Sequence, residues 1–182
     1  MRKICIIFLL SIIITVTALG FPLPNTVKNS VGFQDEFLRI HIRADSNENA
    51  AQSIKYAVRD ELVAYLVPIV AECETKTEAL QRLGAHASSL RKIAERTLKN
   101  AGFSYGATVS IEQEIFPTRV YDNYTLPAGE YTALIVRLGS GKGDNWWCVV
   151  YPPLCFVAQA PNVVYKSKIA EIIRSWQEHV SK

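Results

Sequence analysis

Residues 37–44 read FLRIHIRA. Phe37 aside, the pattern alternates strictly. Leu38, Ile40, Ile42 and Ala44 point one way, and Arg39, His41, Arg43 and then Asp45 point the other. Successive side chains of a strand face opposite sides, so this period of two predicts a half-buried β-strand. Such a strand must find partners for its backbone groups. The next alternating segment begins only at residue 107, so the strand is expected to join its sheet through a helical crossover.

The chain between is helical in pattern. DSNEN (45–49) breaks the strand, and Ser46 or Asn47 is suited to cap the next helix. Ile54, Val58, Leu62, Tyr65 and Leu66 then fall at helical spacing over about 49–67, where Pro68 ends or kinks the helix. TKTE (75–78) is a capping box with Thr75 as N-cap and Glu78 at N3. Its helix carries Leu80, Leu83, Ala87, Leu90, Ala94 and Leu98 on one stripe and stops at NAG (100–102).

Strand patterns return afterwards. ATVSIEQEI (107–115) sets Val109, Ile111 and Ile115 against Ser110, Glu112 and Glu114. FPTRVYDNYTLPAGE (116–130) reads as a long connection. YTALIVRL (131–138) is apolar on both faces, which suits a central strand. GSGKGDN turns the chain, and WWCVVY (146–151) is expected to pair back on 131–138 as a hairpin. Tyr165, Ile169, Ile172, Ile173, Trp176 and Val180 mark a closing amphipathic helix. The order strand, helix, helix, three strands, helix predicts one α+β domain over 37–182, with helices packed on a mostly antiparallel sheet.

The N-terminal end has a different character. MRK is followed by 17 residues without charge, the n-region and h-region of a signal peptide over 1–20. Ala18 and Gly20 occupy the small positions of a cleavage site. The competing reading is an uncleaved anchor, for which 17 residues is at the short edge; the leader is then the chain's only membrane contact. Residues 21–36 lack periodicity and read as a linker. The net charge of the whole chain is +3. Loss of Arg2 and Lys3 with an acid-free leader leaves 18 basic and 17 acidic residues. That balance argues against a nucleic-acid partner, whose phosphates call for a basic excess.

Several clusters suggest sites. GSGKGD contains three glycines and Lys142, but a phosphate loop needs Ser or Thr after the lysine and a helix after the loop. Asp144 follows Gly143 here, and a strand follows both, so the segment reads as a hairpin loop. Cys148 and Cys155 lie six residues apart across Pro152-Pro153, with no second knuckle and with His41, His86 and His179 scattered. No metal site is expected. In an exported chain the two can form a disulfide; the alternative is a pair of buried thiols. Cys73 reads as a buried thiol at a helix end. Trp146 and Trp147 must face opposite sides of their strand, one toward the core and one available to a partner. Arg39, His41 and Arg43 form a positive row at period two. It is either a charged binding surface or a solvated face of weak ion pairs. Glu112, Glu114 and Asp122 are the acids an enzyme could use, but no nucleophile–base, paired-acid or zinc motif accompanies them. A binding or signalling domain is the expected class, without cofactor or small-molecule substrate. An exported enzyme acting on cell wall and a structural envelope protein are the alternatives.

LRIHIRADSN with KYAVRD, the block from FPTRVYDNYTLPAGEYTALIVRLGSGKGDNWWCVVYPPLCF, and the leader together resemble the stage II sporulation protein R family of endospore-forming bacteria. The resemblance covers about 37–157. It implies a signal made in the forespore and exported into the space between forespore and mother-cell membranes. There the partner it implies is a membrane-embedded aspartic protease of the mother cell, which removes the pro-sequence of the sigma factor E precursor. The family often reads Ala-Asn-Ser where this chain has Ala44-Asp45-Ser46, and Asp serves the same turn or cap role.

Overall fold

The computed structural model describes residues 33–121 and 124–154; of Phe33 and Tyr124 only the backbone is described. The expected signal peptide, residues 21–32 of the expected linker, Asp122, Cys155 and the expected closing helix lie outside the described residues. Phe33–Glu36 form a single 3-10 turn, and Gln34 packs its side chain against Gly129.

Strand β1 is Leu38–Arg43. Two helices follow, α1 (Asn49–Ala71) and α2 (Lys76–Asn100). The remaining strands are β2 (Ala107–Phe116), β3 (Arg119–Tyr121), β4 (Tyr124–Leu126), β5 (Gly129–Leu138) and β6 (Asn145–Tyr151). The main sheet has the order β2-β5-β1-β6, and β3 and β4 pair only with each other. β1 runs parallel to β5 and antiparallel to β6, and β2 runs antiparallel to β5. The expected α+β fold is present, and β5 is central as its two apolar faces require.

One topological expectation fails. β5 and β6 are not a hairpin, because β1 lies between them. Neighbouring strands sit about 4.8 Å apart, so the loop 139–144 has to straddle about 10 Å, which six residues do easily. The inserted strand gains partners on both edges, satisfying backbone groups that an edge position would leave bare.

The glycine loop is built for this crossing. Gly143 donates its N–H to the Ala44 carbonyl at 2.8 Å. The backbone N–H groups of Ser140 and Asp144 donate to the side chains of Asp45 and Asn47, each at 2.6 Å. A Cβ on Gly143 would lie inside van der Waals contact of the Ser46 carbonyl oxygen, and one on Gly139 (φ 56°) would meet the Asp45 carboxylate. Lys55 of α1 is buried (1% exposed) and donates to the Asp144 carbonyl at 3.1 Å and to Gln52 at 2.6 Å. These polar side chains hold the loop over the end of β1 and are not spent on capping. The N-cap of α1 is Glu48, with no side-chain cap bond.

The helix ends otherwise follow the sequence. Thr75 Oγ1 accepts from the Glu78 N–H at 3.1 Å. At the far end of α2, the N–H groups of Gly102 and Phe103 donate to the carbonyls of Lys99 and Leu98, both at 3.0 Å, a Schellman closure. Pro68 lies within α1 and does not end it; the helix continues to Ala71 without the N–H bond that Pro68 cannot donate. Both helices cover one face of the sheet. Leu38, Ile40, Ile42, Leu134, Val136, Leu138 and Val150 pack there against Val58, Leu62, Leu66, Leu83, Leu90 and Leu98.

Candidate functional site

The opposite face of β1 carries Arg39, His41 and Arg43, and it is not the exposed row the alternation suggested. Arg39 is 0% exposed, His41 3%, and Arg43 is half-buried. The physical reason is a second apolar layer. Phe37, Phe116, Leu126, Tyr131, Ala133, Ile135 and Val149 form a buried cluster on this side, with Tyr121, Trp147 and Leu154 packed on it. The residues read as a connection (116–130) include the β3–β4 ribbon that supplies Tyr121 and Leu126 to this cover.

Within it, the Arg39 guanidinium lies 4.1 Å from the Phe116 ring centroid and 4.9 Å from that of Tyr131. Its Nη2 donates to the Tyr121 hydroxyl at 2.6 Å. Nε and Nη1 have no hydrogen-bond partner among the described residues. Burial lowers the pKa of Arg39, with the Tyr121 oxygen acting in the opposite sense. Burial likewise raises the phenols of Tyr121 and Tyr131, which keeps both neutral beside the cation.

His41 Nδ1 lies 2.8 Å from Glu114 Oε2, and Arg43 donates to the other oxygen of the same carboxylate. Glu114 thus ties β2 to β1 across β5. The ring of His41 stacks on Trp147 at 5.3 Å and meets Phe116 edge-on at 5.9 Å, while its Nε2 is buried without a hydrogen-bond partner among the described residues. Arg119 of β3 closes the stack over the outer face of Trp147 at 4.1 Å.

The two tryptophans do face opposite sides, and both are half-buried. Trp146 leans on the helix-side core, with Arg59 5.6 Å from its ring. Trp147 leans on the second cluster. Neither is a deeply buried core ring and neither stands free. Cys148 is disulfide-bonded, but Cys155, the partner the sequence offers, lies outside the described residues. Cys73 is buried at the end of α1, with its thiol 3.4 Å from the Ile69 carbonyl. Glu112 is gripped by Arg137 at 3.1 and 3.2 Å, which holds its carboxyl below the ordinary range. No group of three or more metal-ligating side chains occurs among the described residues.

The sequence singled out Arg39, His41, Arg43 and Trp147, and the structure brings them together. Trp146 lies on the other face. Missed were Phe116, Tyr121, Tyr131 and Arg119, and the bond from Glu114 to β1. Alternation along β2 placed Glu114 on the face away from Ile111, which was the available signal. Nothing local in 116–131 reveals that its aromatic residues fold over a strand some 80 positions earlier.

The structure thus defines an α+β domain whose central strand has a cationic face enclosed by an aromatic layer. The family model described as Stage II sporulation protein R matches residues 34–161. A relative from Bacillus subtilis (strain 168), "Stage II sporulation protein R", is 34% identical over 123 residues, which is 68% of this chain and 55% of that protein. The chain thus spans about half the length of that curated relative. No solved structure matches. The chain belongs to the stage II sporulation protein R family.

Proposed function

We propose that this chain is an exported signal of endospore formation. It is made in the forespore and passes into the space between the forespore and mother-cell membranes. There it triggers the membrane-embedded aspartic protease that processes the sigma factor E precursor. The observation that carries this reading is membership of the sporulation protein R family over residues 34–161. The leader pattern of residues 1–20 supports export.

Action by binding, not catalysis, is supported by how the polar groups are used. Glu114 is engaged by His41 and Arg43, and Glu112 by Arg137, so both acids already serve internal ion pairs. A ligand moves a receptor only through unequal affinity for its two states, so a defined contact surface is required. That surface is the exposed part of Arg43 and Trp147, beside Arg119 of β3 on the indole. Arg39 and His41 brace it from below. Cys155 is the partner we propose for the disulfide of Cys148.

The test is co-expression in a non-sporulating host of this chain, the cognate protease and the sigma precursor, with processing followed on gels. The shortened sigma factor is expected, including with Glu112→Gln and Glu114→Gln. Unprocessed precursor despite confirmed export contradicts the proposal. Processing lost in both acid variants while each remains folded favours an enzyme.

A further inference from the structure

Arg39 is a fully buried cation, and no ion pair among the described residues includes it. Its guanidinium has five N–H bonds, and those on Nε and Nη1 have no acceptor among the described residues. Rings at 4.1 and 4.9 Å offset part of the desolvation of the charge. They provide no acceptor for these donors. A buried unpaired charge is an arrangement that stability alone does not favour.

The one oxygen that Arg39 contacts among the described residues is carried by an element outside the main sheet, packed on the second cluster through the buried Leu126. Tyr121 belongs to the β3–β4 ribbon, whose three-residue strands pair only with each other. An isolated two-stranded ribbon is marginal in water. Its polar ties to the main sheet run through Tyr121, to Arg39 at 2.6 Å and to the Trp147 carbonyl at 3.4 Å, with Arg119 stacked on Trp147. The hydroxyl sits on Nη2, one of the two terminal nitrogens of the guanidinium. A carboxylate that replaced it would gain Nη2 together with a second, unpaired nitrogen, the bidentate geometry for which arginine is suited.

We propose that Arg39 is a latent carboxylate-binding site, closed by the Tyr121 hydroxyl, which receives an acidic group of a partner polypeptide when the β3–β4 ribbon lifts. Occupation satisfies donors that are unpaired in the closed state and frees the ribbon that carries Arg119 and Val120. Binding and rearrangement of this surface are then one event. The site does not depend on the identity of the partner or on the signalling role.

The full chain labelled with 15N-arginine provides the test. The Arg39 Nε–H resonance is followed against N-acetylaspartate N-methylamide, which imitates an acidic side chain, and N-acetylglycine, which imitates a chain terminus. Sodium chloride at matched ionic strength is the control. A saturable shift with a carboxylate and none with chloride is expected, and the tighter ligand identifies the source. Tyr121→Phe removes the competing oxygen and should tighten binding by about fivefold. Arg39→Met should abolish the response while keeping the melting temperature within roughly 5 °C, because an uncompensated buried charge is removed. No saturable shift in either the native chain or Tyr121→Phe overturns the proposal. So does a fall of more than about 10 °C in Arg39→Met, which makes Arg39 a packing residue.

Discussion

The two faces of β1 are both buried, and they are buried by different means. Leu38, Ile40 and Ile42 meet the helices in an apolar core. Arg39, His41 and Arg43 meet aromatic rings, one glutamate and a short ribbon. On the first face every contact adds to stability through area removed from water. On the second, polar groups are taken from water and only partly repaired, since Arg39 Nε and Nη1 and His41 Nε2 have no partner among the described residues. Buried donors left unpaired within an otherwise packed face are where binding is expected.

Substitutions should separate the faces sharply. The largest loss is expected for Ile40→Ala, about 2–5 kcal/mol from a cavity under the helices, read as a lower urea midpoint. A loss below about 1 kcal/mol would mean that this face is not the main core. Next comes the clasp that joins the two faces at the end of β1. Gly143→Ala forces a Cβ against the Ser46 carbonyl and should cost about 1–3 kcal/mol by the same measurement. An unchanged midpoint would show that the loop does not clasp β1 as described.

A third expectation concerns pH. Tyr151, at the end of β6, is 1% exposed and donates to the Glu74 carbonyl at 2.7 Å. Burial pushes its phenol up to about 12, against about 10 in an unfolded chain. Below pH 10 both states hold the proton, and stability is full. Between about pH 10 and 12 only the unfolded state releases it, so stability falls by roughly 2–3 kcal/mol across that window. Urea melts at pH 9 and 11 should show the drop, and Tyr151→Phe should reduce it, leaving the part due to Tyr121 and Tyr131, whose phenols burial also raises. The smallest effect is on the polar face: Glu114→Gln weakens a charge-assisted contact at a cost of about 1–2 kcal/mol. A larger loss than that of Ile40→Ala would reverse the comparison between the faces.

The sequence carried much of this. Alternation in FLRIHIRA separated the faces correctly, and Thr75, Glu78 and Gly102 marked the ends of α2. What local pattern could not supply was coverage. Arginine is seldom fully buried, so the polar row read as solvated, yet Phe116, Tyr121 and Tyr131 enclose it from far along the chain. The hairpin was misassigned for a related reason. Successive strands are usually neighbours, and the turn chemistry of GSGKGDN fits a hairpin. The bonds that turn it into a bridge come from Ala44, Asp45 and Asn47, on the strand being crossed and the turn after it.

The proposed role as an exported signal is tested most directly by comparing the full chain with one lacking residues 1–20 in the co-expression system, reading precursor processing on gels. Processing should disappear without the leader and return when an unrelated export signal replaces it. Processing by the leaderless chain, retained in the cytosol, would contradict a signal that works across the membrane.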